Sequence, residues 1–280
     1  MDRADLHTHS NFSDGKYSPQ KIVELAKSLN LGAVALTDHD TLKGIPDFLS
    51  ANKISDIMLI PGVEISTEFQ ETEFHILGYF PPQDSKKFEQ ALKKLEFSRT
   101  QRFPKMCKKL AELGISISEE EIEEELKNVT SPGRPHLARI LVKKGIVNNT
   151  QDAFDKFLRK GGPAYVKKER MNSLDAIHLL RDEHAVPVIA HPLLTHIENL
   201  DAILIKFEEE GLLGVEIEYD YGKSKSWRNN QSLKSLVKKL GLIMTGGSDT
   251  HGDDSHSPLG GVTVSIDVAR DLERLHTEVC

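Results

Sequence analysis

The chain is expected to fold as an α/β barrel interrupted by a helical lobe. Three observations predict it. Short apolar runs alternate with amphipathic helical stretches at both ends of the sequence, the rhythm of strands and helices laid down in turn. Several of these runs are continuously apolar, as in parallel strands covered on both faces. A length of 280 residues also suits a barrel, a class that takes about 250 residues or more.

Taken in order, the first run leads into Asp5-Leu6-His7-Thr8-His9. Ser18-Pro19 supplies a cap and a first-turn proline for a helix with the buried stripe Ile22, Leu25, Ala26 and Leu29, and Gly32 ends it. Ala33-Val34-Ala35-Leu36 reads as a buried strand that delivers Thr37-Asp38-His39-Asp40 at its carboxyl end. A short helix over 45–49 follows, then a strand from Ile57 that runs into Gly62-Val63-Glu64-Ile65, then an extended segment over 72–80 carrying Phe74-His75-Ile76. The rhythm breaks at 85–159, which reads as helices over 88–113, 119–127, 135–144 and 151–159. Ser118 and Glu121 form a capping-box pair for the second of these. Its glutamates read as a solvated face, because Ile122 and Leu126 recur at i, i+4 spacing. Alternation resumes with helices over 174–183, 200–210 and 233–240 and strands over 186–190, 215–218 and 242–245. The expected organisation is a barrel built from 1–84 and 160–280, with 85–159 as an inserted helical lobe capping the substrate site.

Composition narrows the function. The formal net charge of −7 argues against a protein that tracks long nucleic acid by electrostatics alone, which wants a basic face. Two cysteines, Cys107 and Cys280, provide neither a disulfide framework nor a thiolate metal site, as expected in a reducing cytoplasm. The N-terminus shows no apolar signal segment, and no run of about 18 apolar residues marks a membrane span. No obligate protein partner is evident.

Chemistry collects at the predicted strand ends. His7 and His9 alternate along a strand, so both imidazoles fall on one side, with Asp14 in the loop beyond. His39, Glu64 and His75 follow, then His191 in Ala190-His191-Pro192, then Asp249 and His251 in Gly247-Ser248-Asp249-Thr250-His251. Of 12 histidines, these six fall at or just past strand ends, more than scatter would put there. His178, His184, His196 and His276 read as exposed or supporting histidines. In a parallel barrel the carboxyl ends of the strands share one face, where active sites are built, so nine ligand-type side chains converge. Neutral imidazoles and carboxylates without thiolates suit divalent manganese, zinc or iron.

These motifs, together with Ser13-Asp14-Gly15, Pro61-Gly62-Val63-Glu64 and Phe74-His75-Ile76-Leu77-Gly78, resemble those of the PHP (polymerase and histidinol phosphatase) superfamily over nearly the whole chain. The resemblance implies a distorted (β/α)₇ TIM-like barrel holding up to three metals. It implies His7, His9, Glu64 and Asp249 on one ion, Glu64 bridging to a second held by His75 and His191, and Asp14, His39 and His251 on a third. All nine positions match. Asp14, Glu64, His191, Asp249 and His251 are the candidate catalytic residues.

A charge count points to phosphate. Three divalent ions set against Asp14, Glu64, Asp249 and a bridging hydroxide leave about +2, which a phosphomonoester dianion cancels and a neutral amide does not. Attack by that hydroxide is the expected chemistry, with the pKa of bound water lowered from about 15.7 toward about 7. Arg134 and His136, in Gly133-Arg134-Pro135-His136, stand at a helix start that favours anions, and Arg99 and Arg102 share a helix face at i, i+3 spacing. This Arg-x-x-Arg and Arg-Pro-His pairing resembles the subgroup acting on nucleoside 3′,5′-bisphosphates or trimming short RNA from its 5′ end, with the arginines clamping the 5′-phosphate. His256 is expected to hold the substrate or protonate the leaving group. The expected substrate is thus a phosphorylated nucleotide or short RNA or DNA. The alternatives are a histidinol phosphate phosphatase and a non-enzymatic, metal-stabilised module.

Overall fold

The computed structural model describes residues 1–51, 57–127, 129, 132–195, 197–221, 230–253 and 256–279. His196 and Cys280 lie outside them. The strands are β1 (Arg3–Asp5), β2 (Ala33–Leu36), β3 (Met58–Phe69), β4 (Thr72–Tyr79), β5 (Met171–Asn172), β6 (Val186–Ala190), β7 (Gly214–Glu218), β8 (Ile243–Gly246) and β9 (Val264–Ser265). The helices are α1 (Pro19–Ser28), α2 (Ile45–Ser50), α3 (Lys86–Glu112), α4 (Glu119–Leu126), α5 (Arg134–Lys143), α6 (Thr150–Ala153), α7 (Ser173–Asp182), α8 (Leu200–Glu209), α9 (Asn230–Lys239) and α10 (Ile266–Val279). A π-helical turn, Phe154–Leu158, extends α6.

The sheet order is β8-β7-β6-β4-β3-β2-β1-β9, with β5 beside β3. Leu6 N–H donates to Gly246 O at 3.3 Å and His9 N–H to Thr250 O at 3.0 Å, so the chain beyond β1 meets the chain beyond β8 and the sheet curls into a nearly closed barrel. Side chains divide by parity. Ala33 and Ala35 of β2 join Leu6, Ile60, Leu77, Tyr79 and Val188 inside the barrel, while Val34 and Leu36 face α1 and α2. Ala269 and Leu272 of α10 plug the end of the interior away from the site, a role with no counterpart in the sequence reading.

Among the strands expected from the sequence one departs from the parallel order, and β9, which was not expected, also pairs antiparallel with β1. β3 and β4 form a hairpin with Gln70 and Glu71 at its tip, both at positive φ (48° and 63°), so β4 runs antiparallel to β3 and β6. Its N-terminal half therefore lies at the carboxyl ends of its neighbours, and His75, paired with Ser66 and Ala190, still reaches the common face.

The segment 85–159 is helical, as expected. Phe103, Met106, Leu110, Leu137, Leu141 and Leu158 form a hydrophobic cluster separate from those of the barrel. The first turns of α3 belong elsewhere: Phe88, Leu92 and Leu95 pack in the cluster between barrel and outer helices.

Candidate metal centre and anion pocket

Glu64 is the hub. Projected from β3 and almost fully buried, its Oε2 lies 2.9 Å from His39 Nδ1, 3.2 Å from His9 Nε2 and 3.5 Å from His7 Nε2. Its Oε1 lies 2.7 Å from His75 Nδ1 and 3.1 Å from His191 Nε2. Asp249 Oδ1 is 3.3 Å from His7 Nε2 and 3.1 Å from His9 Nε2, and its Oδ2 accepts from the Tyr219 hydroxyl at 3.0 Å. Asp14 Oδ1 is 3.2 Å from His251 Nε2, and Asp14 Oδ2 is 3.8 Å from His39 Nε2. All nine expected residues thus gather at one end of the barrel. Among the described residues four convergent groups emerge: His7, His9, Glu64 and Asp249; His9, Asp14, His39 and His251; His39, Glu64 and His75, with His191 on the same Glu64 oxygen as His75; and Asp249, His251 and His256.

The donor set fits divalent cations. His39 Nδ1, Glu64 Oε2 and Asp14 Oδ1 are buried and make no hydrogen bond among the described residues, although the first two are only 2.9 Å apart. His7 and His9 turn their Nε2 atoms toward each other at 3.1 Å. Lone pairs aimed at a common volume, rather than along N–H bonds, are what a cation requires. The electrostatics agree. Burial opposes ionisation of Glu64, but His39, His75 and His7 outweigh it and hold the carboxyl well below its usual range. Burial takes His39 down to about 3, which keeps this imidazole neutral. For His9, Asp249 and Glu64 outweigh burial and raise it to about 9.

Backbone strain and buried carboxylates hold these loops. Asp40, His191 and Asp249 all sit at positive φ, 56°, 29° and 52°. Asp5 accepts from Ser248 N–H and Oγ–H and from Gly260 N–H; Asp38 accepts from Ser10 and Ser13; Asp40 accepts from Ser66 and Lys168. Gly247 passes so close to His7 that a Cβ there would lie 2.4 Å from the His7 nitrogen.

A cavity of about 900 Å³ opens over the cluster. Arg99, Arg102, Arg134 and His256 line it, as expected, together with Lys168 and Arg170, which had no sequence role. Arg99 and Arg102 are only 7% and 6% exposed. Arg99 Nη2 reaches Asp14 Oδ2 at 3.3 Å, while Arg99 Nη1 and Arg102 Nε and Nη2 have no hydrogen-bond partner among the described residues. Arg102 stacks on Tyr165, and Arg134 lies over Phe154. Burial and the neighbouring Arg134 bring Arg102 down to about 9, a group of like charges short of an anion. His256 stacks on His251 with ring centroids 4.0 Å apart and is held by Asp253, Nδ1 to Oδ1 3.0 Å. His136 is placed differently. It lies fully buried behind the wall, where its Nδ1 accepts from Gly133 N–H at 3.0 Å, and it is not among the lining residues.

Sequence reasoning missed Glu216, Tyr219, Lys168 and Arg170. Glu216 had a signal, a carboxylate inside the apolar run Gly214-Val215-Glu216-Ile217. The alternate buried positions Lys168 and Arg170 were hidden in the charge run Lys167-Lys168-Glu169-Arg170.

Residues 5–163 match the PHP domain family model. The chain is 33% identical over 249 residues to a 5′-3′ exoribonuclease of Haemophilus influenzae, spanning 88% of this chain and 89% of that protein. It is 28% identical over 253 residues to a 3′,5′-nucleoside bisphosphate phosphatase of Chromobacterium violaceum, spanning 90% and 88%. A solved structure from Bifidobacterium adolescentis, described as a candidate metal-dependent phosphoesterase, superposes with a TM-score of 0.89 at 26% identity, over 97% and 96% of the two chains. The chain belongs to the PHP domain family and carries the buried histidine and carboxylate clusters of a metal-dependent phosphoesterase.

Proposed function

We propose that the protein hydrolyses phosphate esters of 5′-phosphorylated nucleotides, converting nucleoside 3′,5′-bisphosphate to nucleoside 5′-monophosphate or acting on the 5′ ends of short RNA. The observation that carries this reading is the pair Arg99 and Arg102. Both are buried in the wall of the cavity that holds the ligand cluster, and among the described residues both keep guanidinium N–H groups without a partner. A substrate with one phosphate at the cluster and a second at these donors answers both. The exoribonuclease and bisphosphate phosphatase names of the relatives support the same substrate class.

In this reading His7, His9, Glu64 and Asp249 hold one ion, Glu64, His75 and His191 a second, and Asp14, His39 and His251 a third. Manganese, zinc and iron all suit the donors. When bound, such ions supply Lewis acidity toward the phosphoryl oxygens and acidify water. The chain's own groups do the rest. Arg99, Arg102 and Arg134 grip the second phosphate and fix the ester over the cluster, with Lys168 and Arg170 completing a cationic wall. Tyr219 ties one oxygen of Asp249 and leaves the other facing the histidines. His256, restrained through Nδ1 by Asp253, is assigned to hold the substrate or protonate the leaving group. Residues 85–159 serve as the capping lobe, since they bring Arg99, Arg102 and Arg134 to the barrel.

The test is turnover by the manganese-loaded protein of a nucleoside 3′,5′-bisphosphate and of histidinol phosphate, read as inorganic phosphate released, and of a 5′-phosphorylated oligoribonucleotide, read as nucleoside 5′-monophosphate released. The first two should be preferred, and Arg102→Ala should impair only them. A preference for histidinol phosphate, or no release with any metal, overturns the proposal.

A further inference from the structure

We infer that Glu216 is a positioning residue that sets two of the three proposed metal sites together, an inference resting on the metal-site reading above. Glu216 is fully buried on β7 and belongs to none of the convergent groups. Val215 and Ile217 lie in the outer apolar cluster, so Glu216 between them faces the barrel interior. The register of β7 against β8 slips here: Glu216 faces Thr245 and Glu218 faces Gly246, the local kink of a β-bulge, a device that re-aims side chains beside active sites.

Both carboxylate oxygens are engaged with the backs of ligands. Oε1 lies 3.0 Å from His7 Nδ1, and Oε2 accepts from the His191 backbone N–H at 2.8 Å. The first contact selects a tautomer: with the proton on Nδ1, His7 leaves the Nε2 lone pair for the cluster, where it faces His9 and Asp249. The second holds a strained backbone. His191 adopts φ 29° just past β6, and in that conformation its Nε2 reaches Glu64 Oε1. One side chain thus governs His7 in the first group and His191 in the second. Among the described residues no hydrogen bond or ion pair joins it to Asp14, His39 or His251.

Loss of Glu216 should therefore weaken two groups and spare the third. Glu216→Gln keeps the shape but replaces one acceptor with an NH₂, so either His7 Nδ1–H or His191 N–H faces a donor. Metal content after dialysis and chelator competition are measured on the full chain, with folding followed by circular dichroism. Expected is a loss of about tenfold to hundredfold in affinity for two ions, with about one ion per chain retained, and removal of that last ion by adding His39→Ala. Wild-type binding with unchanged affinity and stoichiometry in Glu216→Gln overturns the inference and leaves the metal reading standing. Equal loss of all ions overturns the selectivity. A wild-type chain that binds no divalent metal overturns the metal reading, and the inference falls with it. Should the variant fail to fold, ¹⁵N shifts of the His7 ring in the zinc-loaded wild type decide: a proton on Nδ1 is expected, and one on Nε2 overturns the inference.

Discussion

Arg99 Nη2 stands 3.3 Å from Asp14 Oδ2, an ion pair between α3 and the ligand cluster of the barrel. Under the proposed function it joins substrate recognition to the site itself. Asp14 is held well below the usual carboxylate range, because His39, Arg99 and His251 together outweigh its burial.

Replacing Asp14 by Asn keeps the shape and removes the charge. Turnover should fall at least about a hundredfold, with the melting temperature of the metal-free protein within a few degrees of wild type. Full activity in this variant rules out a catalytic need for the Asp14, His39 and His251 group.

Arg102→Ala removes two unpaired buried donors without stranding a carboxylate. Charge-assisted hydrogen bonds of about 1.5–3 kcal/mol correspond to roughly a tenfold to hundredfold rise in KM for 5′-phosphorylated substrates. An aryl phosphate lacking a second phosphate should be turned over as by wild type. Equal impairment of both substrates contradicts a 5′-phosphate contact.

Metal loading should release protons. His9, raised to about 9, carries a proton at pH 7 in the metal-free protein, whereas His39, lowered to about 3, does not. A cation on His9 must displace that proton. Calorimetric titration at pH 7 in buffers of different ionisation enthalpy should show release, fading as pH rises past about 9. Proton uptake, or release that grows with pH, contradicts this coupling.

Gly247→Ala should destabilise the fold by about 1–3 kcal/mol, since its Cβ meets the His7 backbone rather than a flexible side chain. Thermal melts should show the drop with or without metal, and metal affinity should fall with it. An unchanged melting temperature contradicts the close approach.

Much of the site was legible because its chemistry lies in side-chain type and strand-end position, both local properties. His7, His9, His191 and Asp249 come from distant stretches, yet each announced itself where a strand stops; Glu64, expected at a strand end, lies inside the longer β3, Met58–Phe69. The direction of β4 was not legible. Gln70 and Glu71 adopt left-handed turn conformations without being asparagine or glycine, so nothing in their identity marked a hairpin. Glu216 was hidden for another reason: a carboxylate on a buried strand has meaning only through what faces it across the barrel, His7 being 209 positions away. The plug formed by α10 was not legible, because its use depends on the interior left open by the strands.

Phe88, Leu92 and Leu95 root the start of α3 in the barrel, Phe103, Met106 and Leu110 root its continuation in the insertion, and Arg99 and Arg102 fall at the changeover. A rod anchored at both ends acts as a strut. The span from guanidinium to ligand cluster is set when the chain folds, so under the proposed function substrates are measured against a fixed ruler, and the separation of their two phosphates decides which of them fit.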